Sequence, residues 1–119
     1  MVLKDNLFSI ISEEASTTRI QLHEEHPIYQ AHFPGNPITP GVCLVQMIGE
    51  LAEGQVGHPL ALSNVVNLKF LAPISPVNTP VIDILFTSID EEGNDIKTKG
   101  TIMAGDKAMT KFSIIYCKK

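Results

Sequence analysis

Hydrophobic and polar residues alternate along most of this chain, and the alternation gives way to a different period at one place. Between Gly41 and Gly57, Leu44, Ile48 and Leu51 fall on one helical face and Val45 and Met47 widen it. Gln46, Glu50 and Glu53 follow at i, i+4 and i+7 as a narrow polar stripe. The spacing predicts a mostly buried helix, stopped by Gly54 and Gly57 and kept from restarting by Pro59.

On either side the period is that of strands. Leu7 to Ile11 and Arg19 to His23 predict a hairpin, with turn residues in the SEEASTT stretch between them. Beyond Pro59 come ALSNVVNLKFLAPI, TPVIDILFTSID, NDIKTKGTIMAG and KAMTKFSIIYCKK, separated by the turn chemistries SPVN, EEGN and Gly105-Asp106. Long strands around one apolar helix imply an α+β fold, an antiparallel sheet wrapped around a central helix. Between hairpin and helix, HPIYQAHFPGNPITPG carries four prolines and two glycines, which predicts a loop without regular helix or central strand.

With 119 residues the chain is expected to form a single domain, 1–119. A hydrophobic share of 44% and a charged share of 18% fit a packed globular domain rather than disorder. The net charge of -4, with no Lys/Arg cluster, argues against nucleic acid as a partner. No apolar run is long enough for a bilayer, so a membrane is not expected as a partner and the location is expected to be cytoplasmic. Cys43 and Cys117 suit reduced thiols; Cys43, near a helix start, is read as an apolar filler rather than a nucleophile.

No phosphate-binding Gly-rich loop or serine elbow is present, and no cofactor is expected. The run His23-Glu24-Glu25-His26 spaces its histidines by three, which on a strand points them to opposite faces, so no metal site is expected.

The segment AHFPGNPITPGV is more specific, since it places His32, two Pro-Gly steps and a helix start within a few residues. It resembles the HFPGxPxxPGV motif of the β-hydroxyacyl-[acyl-carrier-protein] dehydratases, and NLKFLAPISPVNTPVIDI resembles a strand pair of the same family. The resemblance implies a hotdog fold and a lyase of fatty acid or related acyl-chain biosynthesis, converting 3-hydroxyacyl thioesters to trans-2-enoyl thioesters. It makes His32 the general base and Gly41 the N–H donor to the thioester oxygen. Phe33 and Tyr29, which flank His32, are candidates to line an acyl channel. The substrate would arrive on acyl carrier protein or coenzyme A. Sites would form across a homodimer or higher oligomer, with His from one subunit and an acid on the helix of the other.

This chain departs from the pattern at the acid. Fourteen residues after His32, where the family carries Glu or Asp, stands Gln46, which can hydrogen-bond but cannot donate a proton as an acid. Glu50 lies one turn further along the same stripe, about 6 Å away along the axis, and is a candidate replacement acid. The alternatives are a catalytically weak acyl-thioester-binding subunit of a mixed dehydratase dimer and, with less support, a hotdog thioesterase. Glu53 reads as a surface charge. Lys69, Lys111, Lys118 and Lys119 are candidate contacts for an acidic carrier.

Overall fold

A computed structural model describes residues 2–31 and 35–119; His32 and Phe33 lie outside the described residues. Eight elements follow one another: β1 (Phe8–Glu14), β2 (Thr17–Leu22), α1 (Ile28–Ala31), α2 (Gly41–Val56), β3 (Leu60–Phe70), β4 (Val81–Glu92), β5 (Asp95–Ala104) and β6 (Lys107–Lys118). The strands form one sheet in the order β1-β2-β4-β5-β6-β3, every pair antiparallel. This is the hotdog fold, with the sheet wrapped around α2.

The helix is enclosed because its apolar residues cover most of its circumference. Cys43, Leu44, Val45, Met47, Ile48, Gly49, Leu51 and Ala52 are all buried. They meet the inward rows of the sheet, including Ile20, Ile82, Ile84, Phe86, Ile96, Phe112, Ile114 and Tyr116. Alternation sets those rows: β5 and β6 bury every second residue along much of their length, as strands with one face on a core must.

Two glycines are required by close approach. A Cβ on Gly49 would lie 2.7 Å from the Tyr116 ring, and one on Gly100 would lie 1.9 Å from the Leu85 carbonyl oxygen. Tyr116 then donates its hydroxyl to the Val45 carbonyl of α2 at 2.6 Å, fastening helix to sheet. Burial raises the phenol pKa.

Three local expectations are corrected. The β1–β2 turn is tighter than SEEASTT suggests, since pairing continues to Glu14–Thr17 and leaves only Ala15 and Ser16, Ala15 at φ 43°. The Pro-rich stretch contains a helical turn, α1, where a loop is expected; Pro27 precedes it, the one helical location where a missing N–H costs nothing. Gly54 lies inside α2, and Gly57 alone stops it, at φ 71° with its N–H on the Glu53 carbonyl.

The strand β3 stands apart. It ends the sheet, is 11 residues long and is exposed over most of its length, with Leu62, Val65, Val66 and Phe70 on the surface. Long apolar edges are ordinarily blunted or covered in soluble proteins.

Gly100→Ala should cost at least about 1–3 kcal/mol in urea unfolding, because the added carbon meets backbone. Gly54→Ala, with nothing within 4 Å of its added Cβ, should be neutral or stabilise by up to about 1 kcal/mol. Equal effects of the two would contradict this account of the packing.

Candidate active site

The start of α2 is set by Pro40, whose φ of -63° and ψ of 147° bring the chain in extended, and no side chain caps the helix. The Pro40 carbonyl takes the Cys43 and Leu44 N–H groups at 3.0 and 3.2 Å. The preceding N–H groups, Gly41 and Val42, are among those for which the helix has no carbonyl, at the positive end of its dipole. No acidic residue lies in the first turn.

Beside this terminus is an apolar pocket of about 330 Å³ lined by Ile38, Thr39, Leu44, Phe70, Leu71, Ala72, Pro73 and Ile74. The loop is held there by main-chain and side-chain bonds. The Thr39 N–H donates to the Ile74 carbonyl at 2.8 Å, and the Thr39 and Tyr29 hydroxyls are 2.9 Å apart. Tyr29 is 2% exposed, and its burial raises the phenol pKa. It is not among the residues lining this pocket and meets it through Thr39, one of the lining residues.

The polar stripe of α2 opens on a second cleft, of about 740 Å³, between the helix and the β3 side of the sheet, where Gln46, Gly49, Glu50 and Glu53 face Leu60, Leu62 and Tyr116. Gln46 and Glu50 are brought together. The Gln46 Nε2 donates to Glu50 Oε2 at 2.9 Å, an orientation dictated by the carboxylate, which can only accept. The same Oε2 accepts the Leu3 N–H at 2.8 Å and Oε1 accepts the Lys4 N–H at 2.8 Å. The carboxylate thus ties the N-terminal segment across the helix, with the Leu3 side chain buried in the core.

Glu53 is a correction: it is half-buried, and its carboxylate accepts the Leu60 N–H at 2.8 Å, fixing the start of β3. Cys43 is buried and its thiol pKa is raised by burial, the opposite of nucleophile activation. Of the other histidines, His23 lies 2.6 Å from Ser9 Oγ and 2.8 Å from the Asn6 carbonyl, joining β1 to the end of β2, and His26 Nδ1 accepts the Ile28 N–H.

Sequence reasoning missed the contribution of the segment 70–74 to the pocket and the capture of the N-terminal backbone by Glu50. The first had a signal in the Lys69-Phe70 step. The second had none, since backbone N–H groups carry no sequence signature.

A sheet closed around one helix, with an uncapped helix start beside an apolar pocket, makes this a hotdog domain with a candidate site at the helix start. The chain belongs to the ApeI-like family, whose model, described as ApeI dehydratase, matches residues 9–109. It is similar to the 3-hydroxyacyl-[acyl-carrier-protein] dehydratase FabZ of Aeromonas hydrophila subsp. hydrophila, 33% identical over 87 residues. That match takes in 64% of this chain and 57% of the relative, so it spans little more than half of the relative's length.

Among solved structures it is similar to the dehydratase heterocomplex ApeI:P from Xenorhabdus doucetiae, with TM-score 0.63, 20% identity and coverage of 93% and 98% of the two chains. A second is the BH2602 protein from Bacillus halodurans, solved with CoA, with TM-score 0.60, 12% identity and coverage of 91% and 70%. At these identities the structural likenesses establish the fold. No described helix is long and apolar enough to cross a membrane.

Glu50→Gln replaces one of the two accepting oxygens with an NH2 donor, so that only one of the Leu3 and Lys4 N–H groups keeps its acceptor, and should destabilise the fold by about 1–3 kcal/mol. Hydrogen exchange should localise the change to the amides of Leu3 and Lys4. Unchanged protection at both would remove the anchoring role.

Proposed function

We propose that this chain is an acyl-thioester-binding subunit of a mixed dehydratase dimer, acting on 3-hydroxyacyl groups carried on acyl carrier protein or coenzyme A. The observation that carries the reading is the Gln46–Glu50 pair. The helix offers an amide where the resembled dehydratase motif has an acid, and Glu50, the carboxylate bonded to it, accepts three hydrogen bonds, two of them from the protein's own backbone.

In a site assembled across two subunits, His32 of this chain meets the helix of the partner, while the partner's histidine meets Gln46. A partner carrying Glu at the position matching Gln46 completes the first site and leaves the second without an acid. Dehydration then proceeds at one site per dimer. There His32 removes the α-proton, the partner's acid protonates the leaving hydroxyl, and the Gly41 N–H stabilises negative charge on the thioester oxygen. The exposed β3 edge, with Leu62, Val65 and Val66, is the surface that pairing of two sheets would cover. Membership of a family described as ApeI dehydratase and the likeness to a dehydratase heterocomplex support the reading.

The test is product analysis by mass spectrometry with 3-hydroxyacyl carrier thioesters. The chain alone should form enoyl thioester about 10²- to 10⁴-fold more slowly than when paired with an acid-bearing dehydratase subunit. His32→Ala in the mixed dimer should abolish the gain. Full activity of the chain alone would overturn the mixed-dimer reading, and free acid as the product would make it a thioesterase.

Gln46→Glu should raise the activity of the chain alone. It would place two carboxyl groups where an amide–carboxylate hydrogen bond now stands. Such a pair cannot readily ionise together, so one pKa rises and the acid form persists to higher pH. The gained activity should therefore decline as pH climbs through that raised value, in a pH–rate profile.

Carrier binding is assigned to Lys69 and Lys111. These exposed residues stand directly opposite each other in the β3–β6 ladder, one step from Phe70 and Thr110. Like charges placed so are a cost to the sheet. An acidic carrier or a phosphate would relieve it. Charge reversal at both should slow association with acyl carrier protein about tenfold or more at low salt, with the difference shrinking as salt is added. Lys118 is instead paired with Glu91 at 2.6 Å.

A further inference from the structure

We propose that Phe70 is a specificity-determining residue, its ring forming the movable wall that sets how long an acyl chain the pocket beside Gly41 accepts. This inference rests on the acyl-thioester reading above and extends it to substrate selection.

The geometry begins with Gly41. A Cβ built there would lie 2.8 Å from Phe70 Cζ and 3.6 and 3.7 Å from the two ε carbons. Near-equal distances to the ε carbons mean that the ring meets the helix start with its tip. A side chain at Gly41 would have to displace this ring. The same ring lines the 330 Å³ pocket, with Ile38, Leu44 and Ile74 forming its apolar walls. Phe70 thus stands against the first residue of α2 and the apolar space together.

The ring is also the part of the wall best able to move. Phe70 is 56% exposed, whereas Leu44 and Ile74 are 1% and 2% exposed and locked in the core. Its backbone is held, since Phe70 pairs with Thr110 and the next two N–H groups donate to the Met109 carbonyl. Motion is left to the side chain.

A second observation concerns what stands beside the ring. Thr110, directly opposite Phe70 in the ladder, shares its face of the sheet and is fully buried. Its hydroxyl has no hydrogen-bond partner among the described residues. Unsatisfied buried hydroxyls are uncommon in finished packing. Here one neighbours the ring at the pocket wall.

The volume, near the lower end of the range for small-molecule pockets, sets the expectation of a short acyl chain. The experiment is calorimetric titration of the full chain with saturated acyl-CoA thioesters from butyryl to dodecanoyl. Wild-type affinity should rise about fourfold per added methylene while the pocket fills, then level off. In Phe70→Ala the levelling should move to longer chains, and in Phe70→Trp to shorter ones.

Phe70 is exposed, so both variants should keep the wild-type melting curve; if the alanine variant does not fold, Phe70→Leu and Phe70→Trp carry the comparison. Levelling at the wild-type length in every folded variant would overturn the role of Phe70 while leaving thioester binding intact. Failure of the wild type to bind any acyl-CoA, or acyl carrier thioester offered in its place, would instead overturn the acyl-thioester reading and this inference with it.

Discussion

Enclosing α2 is the constraint to which the rest of the structure answers. A helix with buried residues around most of its circumference must be approached closely by a sheet, and close approach leaves no room at certain positions. Gly49 under the Tyr116 ring and Gly100 against the Leu85 carbonyl are the places where that demand is met by removing a side chain. Tyr116 closes the contact with a hydrogen bond to the helix backbone, so the polar tip of a large buried ring is satisfied within the core. The cost of this enclosure is that α2 can show polar groups along only one narrow line.

That line faces the cleft beside β3, and two different demands compete for it. Gln46 and Glu50 face the cleft beside β3, yet Glu50 also holds the main chain of Leu3 and Lys4. Its two oxygens serve the fold as acceptors for those backbone N–H groups. Gln46 donates to the same carboxylate, and its amide is no acid. From this composition follows the proposed mixed dimer, with the acid coming from a partner. The exposed β3 edge lies on the same side of the molecule.

Much of this was open to reading in the primary sequence, for reasons that can be located. The helical period of Leu44, Ile48 and Leu51 survived because burial of one helix dominates its local energetics, and the alternation of β5 and β6 because one face of each packs on it. The tight Ala15-Ser16 turn and the single turn at Ile28 were not legible. The first depends on the β1–β2 register and the second on tertiary support for the chain after Pro27, including the Tyr29–Thr39 contact. The candidate chemistry was legible at Gln46 and Gly41, whose positions follow from counting along a motif. Phe70 was not, since its part depends on where β3 ends relative to the start of α2.

By itself, then, the sequence determined the fold class, the buried helix, the family resemblance and the absence of an acid at position 46, because each rests on residue type and spacing alone. Only the tertiary structure decided that Glu50 secures the N-terminal segment, that Tyr29 meets the pocket through Thr39 and that Phe70 faces Gly41. These are contacts between residues 29 to 47 positions apart in two cases, and ten apart across a folded loop in the third. No local preference encodes them: they arise when the closing sheet brings distant backbone and side chains to the start and the polar stripe of one helix.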